Sequence, residues 1–374
     1  METAIKALVL GAGFAGQGHA EALRYCGVEV VGMVSRTQEI VEEIASQLNI
    51  PYASTNWEQA LHDLQPNMVA IGTPGGAHVE PILQALNYKT HIFCDKPLAE
   101  SADKANQLTE QADIAGVKTA YAASYRYQPN VLYAHELIRD GKIGQPLEIE
   151  CVSHFNLESM IPFGWSHRAE LGGGRLNNNF THKLSIVEYV LDGQVDQVLG
   201  SLRNDMHKAP MVSGVHDFRT RADFIPSDDE LSKIEWEATN VEWSYSILAE
   251  CDSQFASQPV SVMFKHSALH PRFGEDHIVI YGEAGSIVMK GCYGQGQFLI
   301  YDQTQGWQEQ KLPEHIISSI PQITDDTQRN WTSLMLEFTN DIRNLPYKKY
   351  QTFEDGARYQ AIIDQLRSNN ASVL

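Results

Sequence analysis

The chain has 374 residues, of which 43% are hydrophobic and 20% charged, values typical of a soluble globular protein with room for two domains. Its formal net charge of −19 at pH 7 argues against nucleic acid or an anionic membrane as a partner, because Lys and Arg are the minority. No run of about 18 apolar residues occurs, so we expect no membrane span.

The cysteine pattern and the amino terminus bear on location. The cysteines are odd in number, scattered and without a CxxC pair, which favours buried thiols in a reducing compartment over a disulfide frame; they are Cys26, Cys94, Cys151, Cys251 and Cys292. The opening METAIKALVLGAG enters a strand without a basic segment or a cleavage site, so we expect no secretory signal. Together these features predict a cytoplasmic protein.

An apolar strand at residues 5–10 runs directly into the glycine-rich turn GAGFAG, residues 11–16, which opens a helix. In this context Gly11 permits the turn, Gly13 lets backbone approach a pyrophosphate, and Gly16 lets the helix pack on the strand. The exposed N–H groups and the helix dipole can then bind phosphates. The segment predicts dinucleotide binding through Gly11, Gly13, Phe14, Ala15 and Gly16.

Ser35 and Arg36 stand near the end of the second strand, residues 28–37, where dinucleotide folds that prefer NAD place an Asp or Glu for the ribose 2′-hydroxyl. A carboxylate there would repel a 2′-phosphate, whereas a hydroxyl followed by a guanidinium attracts one. We therefore predict that both residues bind the cofactor and that NADP(H) is preferred over NAD(H). The alternative is that Arg36 stacks on adenine or lies in solvent.

Strands and helices alternate as far as residue 124. Helices at 37–49, 56–63, 77–89 and 101–116 separate strands at 67–74, 90–97 and 117–124, which indicates parallel βαβ units. Thr55 or Asn56 is expected to cap the second helix of this set. Ligands of such sheets lie beyond the carboxyl ends of the strands. We expect the cofactor-binding residues to meet there in one crevice: the glycine turn, then Thr73, Pro74 and His78, then Asp95, Lys96 and Pro97.

Further motifs follow in order along nearly the whole chain. They are the glycine turn with GHAEAL, VAIGTPGGAHVEPILQAL, CDKPLAES, SYRYQPNVLYAHELIRDGKIG, GGGRLNNNFTH, IVIYGEAGSIVM, and the terminal EFTNDIRNL with FEDGARYQAIID. Together they resemble the Gfo/Idh/MocA oxidoreductase family, with CDKP in place of its usual Glu-Lys-Pro. The resemblance implies an α/β fold with an N-terminal Rossmann dinucleotide-binding domain and a C-terminal α/β domain whose large, mainly antiparallel open sheet floors the active site.

The resemblance also implies how the chain divides. We expect the Rossmann domain in residues 1–125 and the substrate-binding and oligomerisation domain in residues 126–374. A C-terminal helix at about 353–368 is expected to pack back on the first domain. Because an open sheet with one exposed face often forms an isologous interface, we expect a homodimer or homotetramer.

Members of that family typically move hydride between a nicotinamide cofactor and a sugar or cyclic-polyol carbon, and the lysine of their motif falls on Lys96. The residues suggest the same role independently, because a hydroxyl that loses hydride must also lose a proton, which a lysine of lowered pKa can accept. Asp95 keeps the charge of the usual Glu, and Pro97 restricts the geometry of its predecessor. The competing interpretation is a surface lysine at a strand end.

The glycine triplet at residues 172–174 leads into a helix that we expect to start near Asn179. Family members carry an Asp four residues before a His here, and another Asp three residues after it. Aligning the glycines places Asn178, His182 and Ser185 at these positions. We expect His182 and Asn178 to join Lys96 as catalytic residues that also bind substrate. Since Asn supplies no charge, His182 would act as a neutral hydrogen-bond partner; a structural histidine is the alternative.

Other side chains are expected around the same crevice. Tyr125 and Arg126 end the last strand of the first domain and so lie near the crevice. The resemblance implies an Arg or Asn here beside cofactor and substrate, and we expect Arg126 to bind the cofactor and Tyr125 the substrate. Trp165 and Arg168 precede the glycine triplet and are expected to bind the sugar, although an aromatic residue in a loop also serves simple packing. We expect no metal: His266, His270 and His277 follow a strand pattern that holds positions four apart about 13 Å from each other.

The irregular segment at residues 205–232 is long for a connector, which suggests either an insertion that covers the site or forms a subunit contact, or a simple mobile excursion. Overall, the sequence predicts an NADP(H)-preferring oxidoreductase that acts on a sugar, glycoside or cyclic polyol, with no nucleic-acid or membrane partner. Two alternatives stay open. One is a cofactor-binding regulator or scaffold on the same fold, and the other is a glycosidase that oxidises and re-reduces the sugar with no net change of cofactor.

Overall fold

The first sheet of the protein has six parallel strands. The computed structural model describes residues 4–157, 160–215, 220–269 and 276–372. The strand order is β3-β2-β1-β4-β5-β6, and every pair is parallel. The strands are β1 Lys6–Leu10, β2 Glu29–Val34, β3 Ala53–Ser54, β4 Met68–Ile71, β5 His91–Cys94 and β6 Thr119–Tyr121. This arrangement confirms the predicted Rossmann fold.

Helices cover both faces of this sheet, which is why its central strands are apolar throughout. All four residues of β4 are buried, and separate apolar clusters fill the two faces. The connecting helices are α1 Phe14–Tyr25, α2 Gln38–Gln47, α3 Trp57–Leu64, α4 Val79–Asn87 and α5 Ala102–Ala115. The side chain of Asn56 caps α3 by accepting a hydrogen bond from the N–H of Gln59, as one of the two predicted caps.

The second sheet has eight strands in the order β16-β15-β14-β13-β7-β12-β11-β8. The β7–β12 pair is parallel and the other described pairs are antiparallel, so the predicted mainly antiparallel sheet is confirmed. A separate two-stranded ribbon joins β9 Lys208–Pro210 to β10 Trp236–Ala238. The large sheet consists of β7 Pro146–His154, β8 Val195–Arg203, β11 Ser244–Cys251, β12 Val260–Ser267, β13 His277–Gly282, β14 Gly285–Lys290, β15 Phe298–Asp302 and β16 Gly306–Glu309.

Helices α6 Pro129–Arg139 and α7 Thr181–Leu191 pack together on one face of the large sheet. Two later helices return to the first sheet: α10 Asp326–Ile342 packs on α1, and α11 Phe353–Asn369 packs on α5. The short helices α8 Asp228–Leu231 and α9 Glu314–Ser318 lie between these elements in the chain. We propose residue 125 as the boundary between the domains, although α10 and α11 then belong to the second while covering the first.

The helix expected to start near Asn179 begins differently. A π-helical turn, Leu176–Phe180, precedes α7, which starts at Thr181. The Thr181 hydroxyl donates to the carbonyl of Asn177 at 2.9 Å, and the Asn178 N–H bonds the Gly174 carbonyl at 3.2 Å. The wider turn therefore brings Asn178 forward beside the strand ends of the first sheet, and such turns are common at functional sites.

Part of the segment expected to be irregular, residues 205–232, is regular. It contains β9 and α8, and β9 forms because β10 supplies a partner strand some 26 residues later. Residues 216–219 of this segment lie outside the described residues. So does His270, one of the three histidines considered above as metal ligands. Across the described ranges, no helix is both long and apolar enough to cross a bilayer, and no cluster of three His, Cys, Asp or Glu side chains could hold a metal ion.

Candidate active site

The glycine turn after β1 leaves a cradle of backbone. Gly11 has φ +110°, a conformation that favours glycine, and a Cβ on Gly16 would lie 1.9 Å from the Gly11 carbonyl oxygen. A Cβ on Gly13, in contrast, would meet no atom within 4 Å. No side chain caps the N-terminus of α1. The open space at Gly13 beside a helix N-terminus fits the pyrophosphate of a dinucleotide.

The end of β4 lies against this turn. The Gly72 N–H donates to the Leu10 carbonyl at 2.8 Å, and a Cβ on Gly72 would come within 2.6 Å of the Gly16 nitrogen. Thr73, the next residue, has a buried hydroxyl without a hydrogen-bond partner among the described residues. Buried polar atoms are normally paired, so this enclosed hydroxyl is an exception at the end of β4.

Ser35 and Arg36 follow β2 at the edge of the same crevice. Ser35 is half-buried, and its hydroxyl makes a long contact of 3.5 Å with the Thr37 carbonyl. Arg36 is exposed and has no hydrogen bond or ion pair with any residue of the described ranges. No Asp or Glu stands at the end of β2, so this edge presents a hydroxyl and an unpaired guanidinium.

Asp95, directly after β5, is buried, and its carboxylate is held from two sides. One oxygen accepts from the Lys96 N–H at 2.7 Å, and the other lies 3.3 Å from Nε2 of His19 on α1. Burial alone would raise the pKa of Asp95, but the contact with His19 and the charge of Lys96 lower it below its usual value. A buried anion therefore stands next to Lys96.

Pro97 and His78 pack close to Lys96 in the chain and in the strand-end region. The Pro97 ring lies between two glycines, because a Cβ on Gly75 or on Gly172 would approach its Cγ to 2.6 or 2.8 Å. His78 is fully buried; its Nε2 lies 2.7 Å from the Thr73 carbonyl and its Nδ1 3.2 Å from that of Leu98. Burial lowers the pKa of His78, so the ring is neutral and its single N–H can donate to only one of these two carbonyls. Pro74 caps the short turn that precedes His78.

Lys96 meets the second domain at Asn178. Its ammonium group donates to Asn178 Oδ1 at 3.2 Å across 82 residues of chain. Burial lowers the pKa of Lys96; Asp95 opposes this effect and Arg175 adds to it. Lys96 therefore loses its proton at a lower pH than a lysine free in water does.

His182 lies one turn beyond Asn178, at the start of α7, and is only 6% exposed. Its Nδ1 is buried and has no partner in the described part of the chain. Burial holds the pKa of His182 well below its usual range, and the charge of Lys96 adds to the effect. The imidazole is thus neutral at pH 7. Nδ1 is enclosed by protein, whereas Nε2 is not among the enclosed unpaired atoms and is the nitrogen that a ligand could reach.

Two tyrosines flank His182. The ring of Tyr125 lies 4.5 Å from the imidazole, that of Tyr293 lies 5.4 Å away, and the two tyrosines are 4.1 Å apart. The Tyr125 hydroxyl pairs with the Thr327 hydroxyl at 2.9 Å on α10. A cavity of about 550 Å³ opens beside them, with Phe155 and Cys292 also in its lining. This volume is within the range of small-molecule sites.

The contacts of the remaining predicted residues are with other neighbours. Phe14 packs on Trp331 of α10, with ring centroids 5.0 Å apart, and Ala15 is half-buried in the first turn of α1. The guanidinium of Arg126 lies over the ring of Tyr189, and that of Arg168 over the ring of Phe163. Trp165 opens a short 3-10 turn, Trp165–His167, in the loop before the glycine triplet.

Ser185 has a structural role. Its buried hydroxyl donates to the Ala123 carbonyl at 2.8 Å and contacts the Gln351 side chain at 3.0 Å. Ser185, which stands where the family that the sequence resembles has an Asp, therefore fixes α7 to the end of the first domain.

Sequence reasoning missed three residues of the site: His19, Arg175 and Tyr293. His19 stands in the quoted GHAEAL segment and Arg175 directly follows the glycine triplet, so both were adjacent to recognised motifs. Their contacts are made with residues far away in the chain, Asp95 and His266. Tyr293 follows β14 and carries no local signal of function.

Two family models match the chain. The model described as the NAD-binding Rossmann fold of the GFO/IDH/MocA oxidoreductases covers residues 5–122, and that of the GFO/IDH/MocA C-terminal domain covers residues 131–288. The chain belongs to the GFO/IDH/MocA family. Its first sheet is accordingly the NAD-binding Rossmann fold of that family.

Similar proteins of the GFO/IDH/MocA family include named dehydrogenases. Levoglucosan dehydrogenase of Pseudarthrobacter phenanthrenivorans is 23% identical over 220 residues, 55% of this chain and 56% of that protein. Inositol 2-dehydrogenase of Mycolicibacterium smegmatis is 25% identical over 197 residues, 52% and 55% of the two chains. The chain thus matches little more than half the length of these relatives. A structure of levoglucosan dehydrogenase with NADH and L-sorbose superimposes with a TM-score of 0.83 at 18% identity, covering 98% and 97% of the chains, which shows a shared fold.

Proposed function

We propose that the protein is an NAD(P)-dependent dehydrogenase or reductase that transfers hydride between the nicotinamide and a CH–OH carbon of a sugar, glycoside or cyclic polyol. The observation that carries this proposal is the contact between the Lys96 ammonium group and Asn178 Oδ1, 3.2 Å, at the junction of the Rossmann strand ends and the second domain. It supports a site where a proton donor or acceptor faces a crevice for cofactor and substrate.

The bound dinucleotide would supply the hydride acceptor or donor, and the protein would handle the proton. Lys96 in its neutral form accepts the hydroxyl proton during oxidation, and its lowered pKa makes that form available closer to neutral pH. In the reverse direction the ammonium group returns the proton. Asp95 keeps a negative charge beside it, which limits how far burial lowers that pKa.

Asn178 and His182 position the reacting groups in this proposal. Asn178 Oδ1 accepts one of the three Lys96 donors and thereby orients the amine. Neutral His182 would meet a substrate hydroxyl with Nε2, since Nδ1 is enclosed by protein, and it carries no charge of its own. In this proposal the site works without the two carboxylates of the family motif, whose positions hold Asn178 and Ser185 in this chain.

For the cofactor, we propose a preference for NADP(H) over NAD(H). Exposed Arg36 has no intramolecular partner in the described residues, and Ser35 precedes it, so a 2′-phosphate would meet a guanidinium and a hydroxyl. An NAD-binding Rossmann fold accepts either dinucleotide, and the edge of β2 decides between them.

For the substrate, the named relatives and the cavity point to a carbohydrate-sized molecule. Levoglucosan dehydrogenase and inositol 2-dehydrogenase act, by name, on an anhydrosugar and a cyclic polyol. The cavity of about 550 Å³ carries the rings of Tyr125, Phe155 and Tyr293, on which the apolar face of a sugar can stack.

The test is a direct assay. Purified protein is mixed with NADP⁺ or NAD⁺ and a panel of hexoses, anhydrosugars and inositols while the absorbance of the reduced nicotinamide is followed; reduction of the matching ketones by NADPH covers the other direction. The proposal expects turnover of at least one panel member and quenching of NADPH fluorescence upon binding. A protein that binds neither dinucleotide would contradict it.

A second candidate is a cofactor-binding regulator on the same fold. It is favoured by Ser185, whose hydroxyl is fully used in structural hydrogen bonds, and by an amide at position 178, since neither supplies catalytic charge. A regulator would bind the dinucleotide as tightly as an enzyme but show no turnover with any carbohydrate, so the same assay separates the two.

We also propose a homodimer or homotetramer in the cytoplasm. The outer face of the large sheet exposes two apolar side chains that are paired across neighbouring strands, Leu199 at 72% and Leu248 at 59%. Such a patch is suited to a symmetric contact between copies. All five cysteines are free and buried, which suits a reducing compartment.

A further inference from the structure

Arg175 is a buried cation next to the candidate site. It directly follows the glycine triplet and is only 5% exposed. Its Nε donates to Nε2 of His266 on β12 at 3.1 Å, and its guanidinium carbon lies 4.8 Å from the centre of the Phe155 ring. These two contacts fix the plane of the guanidinium.

His266 can accept this hydrogen bond because it is neutral. Burial holds the pKa of His266 far below its usual range, and the charge of Arg175 adds to the effect. Its Nδ1 then carries the proton and faces the Ser153 hydroxyl at 2.8 Å, which also accepts from Lys183 at 2.7 Å. The histidine therefore orients Arg175 but contributes no negative charge to balance it.

No carboxylate in the described ranges forms an ion pair with Arg175. The Arg175 N–H bonds the main-chain carbonyl of Glu242, but both carboxylate oxygens of Glu242 are taken by Arg367 at 3.0 Å. The two Nη groups of Arg175 donate to no described residue, and neither is among the fully buried atoms that lack a partner. They are thus open to a molecule in the site.

Arg175 lies within reach of the reacting groups. It precedes Asn178, the Lys96 partner, by three residues. Phe155, over which its guanidinium is placed, lines the same cavity as Tyr125 and Tyr293, the two rings that flank His182. Arg175 thus borders this cavity through Phe155, and its charge is near enough to Lys96 to lower the pKa of that lysine.

A buried guanidinium without an anion is costly, and the cation–π contact offsets only part of that cost because it leaves the N–H donors unused. We propose that the substrate carries an acidic group, a carboxylate or a phosphate, that binds the two Nη groups of Arg175 while its CH–OH carbon lies beside Lys96. This inference rests on the proposed dehydrogenase function and narrows it to acidic sugars or polyols. The planar fork of arginine matches either anion in a bidentate geometry.

The test uses matched sugars that differ only in charge: D-glucose, D-glucuronate and D-glucose 6-phosphate, and the same three derivatives of D-galactose. With NADP⁺ present, kcat/KM for one acidic member should exceed that of its neutral counterpart at least ~30-fold, the value of about one hydrogen bond to a charged group. The uronates and phosphates distinguish the two kinds of anion. Equal or faster turnover of the neutral sugars would overturn the inference but leave the dehydrogenase function intact.

Variants of Arg175 provide the second arm. Arg175→Gln should lower kcat/KM for the acidic member at least ~30-fold and kcat/KM for the neutral one by less than threefold. For the acidic member, Arg175→Lys should lie between the wild type and Arg175→Gln, because lysine keeps the charge but lacks the planar fork of arginine. Arg139→Gln, an exposed arginine paired with Asp140, is the matched control and should change neither. Equal losses for acidic and neutral sugars would contradict a role in binding the anion.

A binding measurement covers the case in which no panel member reacts. Calorimetric titration of the cofactor-free protein with malonate and with inorganic phosphate should show binding that Arg175→Gln weakens at least ~10-fold. Thermal unfolding of each variant verifies that it is folded. Absent binding, or equal binding by the wild type and the variant, would overturn the inference, whereas a failure to bind NADPH would count against the proposed function alone.

Discussion

The ammonium group of Lys96 and the amide oxygen of Asn178 are 3.2 Å apart, which joins the Rossmann domain to the second domain at the point where chemistry is proposed. An amide orients the lysine without adding charge. Since burial lowers the pKa of Lys96, the neutral Asn178 preserves that shift, whereas a carboxylate would oppose it.

Asn178→Asp should therefore raise the pKa of Lys96. Oxidation requires the neutral amine, so the acid limb of the profile of kcat/KM against pH should move to higher pH by about one unit or more. Asn87→Asp on the exposed end of α4 is the matched control and should leave the profile in place. An unshifted acid limb in Asn178→Asp would show that Lys96 does not set it.

Gly13 and Gly16 should respond in opposite ways to a side chain. Gly13→Val fills space in which a Cβ meets no protein atom, so the fold should survive while the Kd for NADPH rises at least about tenfold, or 1.4 kcal/mol. Gly16→Ala places a Cβ 1.9 Å from the Gly11 carbonyl oxygen and should lower the melting temperature. Fluorescence titration and thermal unfolding measure the two effects; unchanged affinity in Gly13→Val would place the pyrophosphate elsewhere.

Arg36→Ala should weaken NADPH binding by about tenfold or more while leaving the Kd for NADH within twofold, because the guanidinium would contact only the 2′-phosphate. Titrations at two salt concentrations check the assignment. Added salt should narrow the difference between the Kd for NADPH and the Kd for NADH in the wild type but not in the variant. If both cofactors weaken equally, Arg36 contacts a part that they share.

The pair formed by His19 and Asp95 should stabilise the fold. Asp95 has a lowered pKa in the folded protein, so its contribution is present above the usual aspartate value of about 3.9 and is lost as pH falls through the folded-state pKa. At pH 7, His19→Leu should lower the free energy of unfolding by about 1.5–3 kcal/mol. In an Asp95→Asn background, His19→Leu should lower the free energy of unfolding by a smaller amount. A double-mutant cycle measured by denaturant unfolding gives the coupling energy between the two residues. Additive effects would show no coupling.

Much of the first domain was predictable because its signals are local. The glycine turn, the alternation of strands and helices and the strand-end position of Lys96 each lie within a few residues, and parallel sheets gather strand ends in one place. Asn178 and His182 were assigned to the proposed site by aligning the glycine triplet with the family motif, and α7 begins at Thr181, two residues after the expected start near Asn179.

The rest depends on contacts distant in the chain. His19 supports Asp95 from another helix, and Arg175 meets His266 across 91 residues, so neither contact leaves a pattern in a short window. The neutrality of His182 follows from burial under Tyr125 and Tyr293, which only the packed structure reveals. The pairing of β9 with β10 was likewise hidden, because three-residue strands are too short for a periodic signal.

The most direct test of the account is the kinetics of Lys96→Ala with the best substrate from the panel, together with its Kd for NADPH. Lys104→Ala on α5, an exposed lysine paired with Glu100, is the matched control. The account predicts that kcat of Lys96→Ala falls by ~10²–10⁴-fold while its Kd for NADPH stays within threefold of the wild type. A kcat equal to that of the wild type would contradict the role of Lys96 in proton transfer.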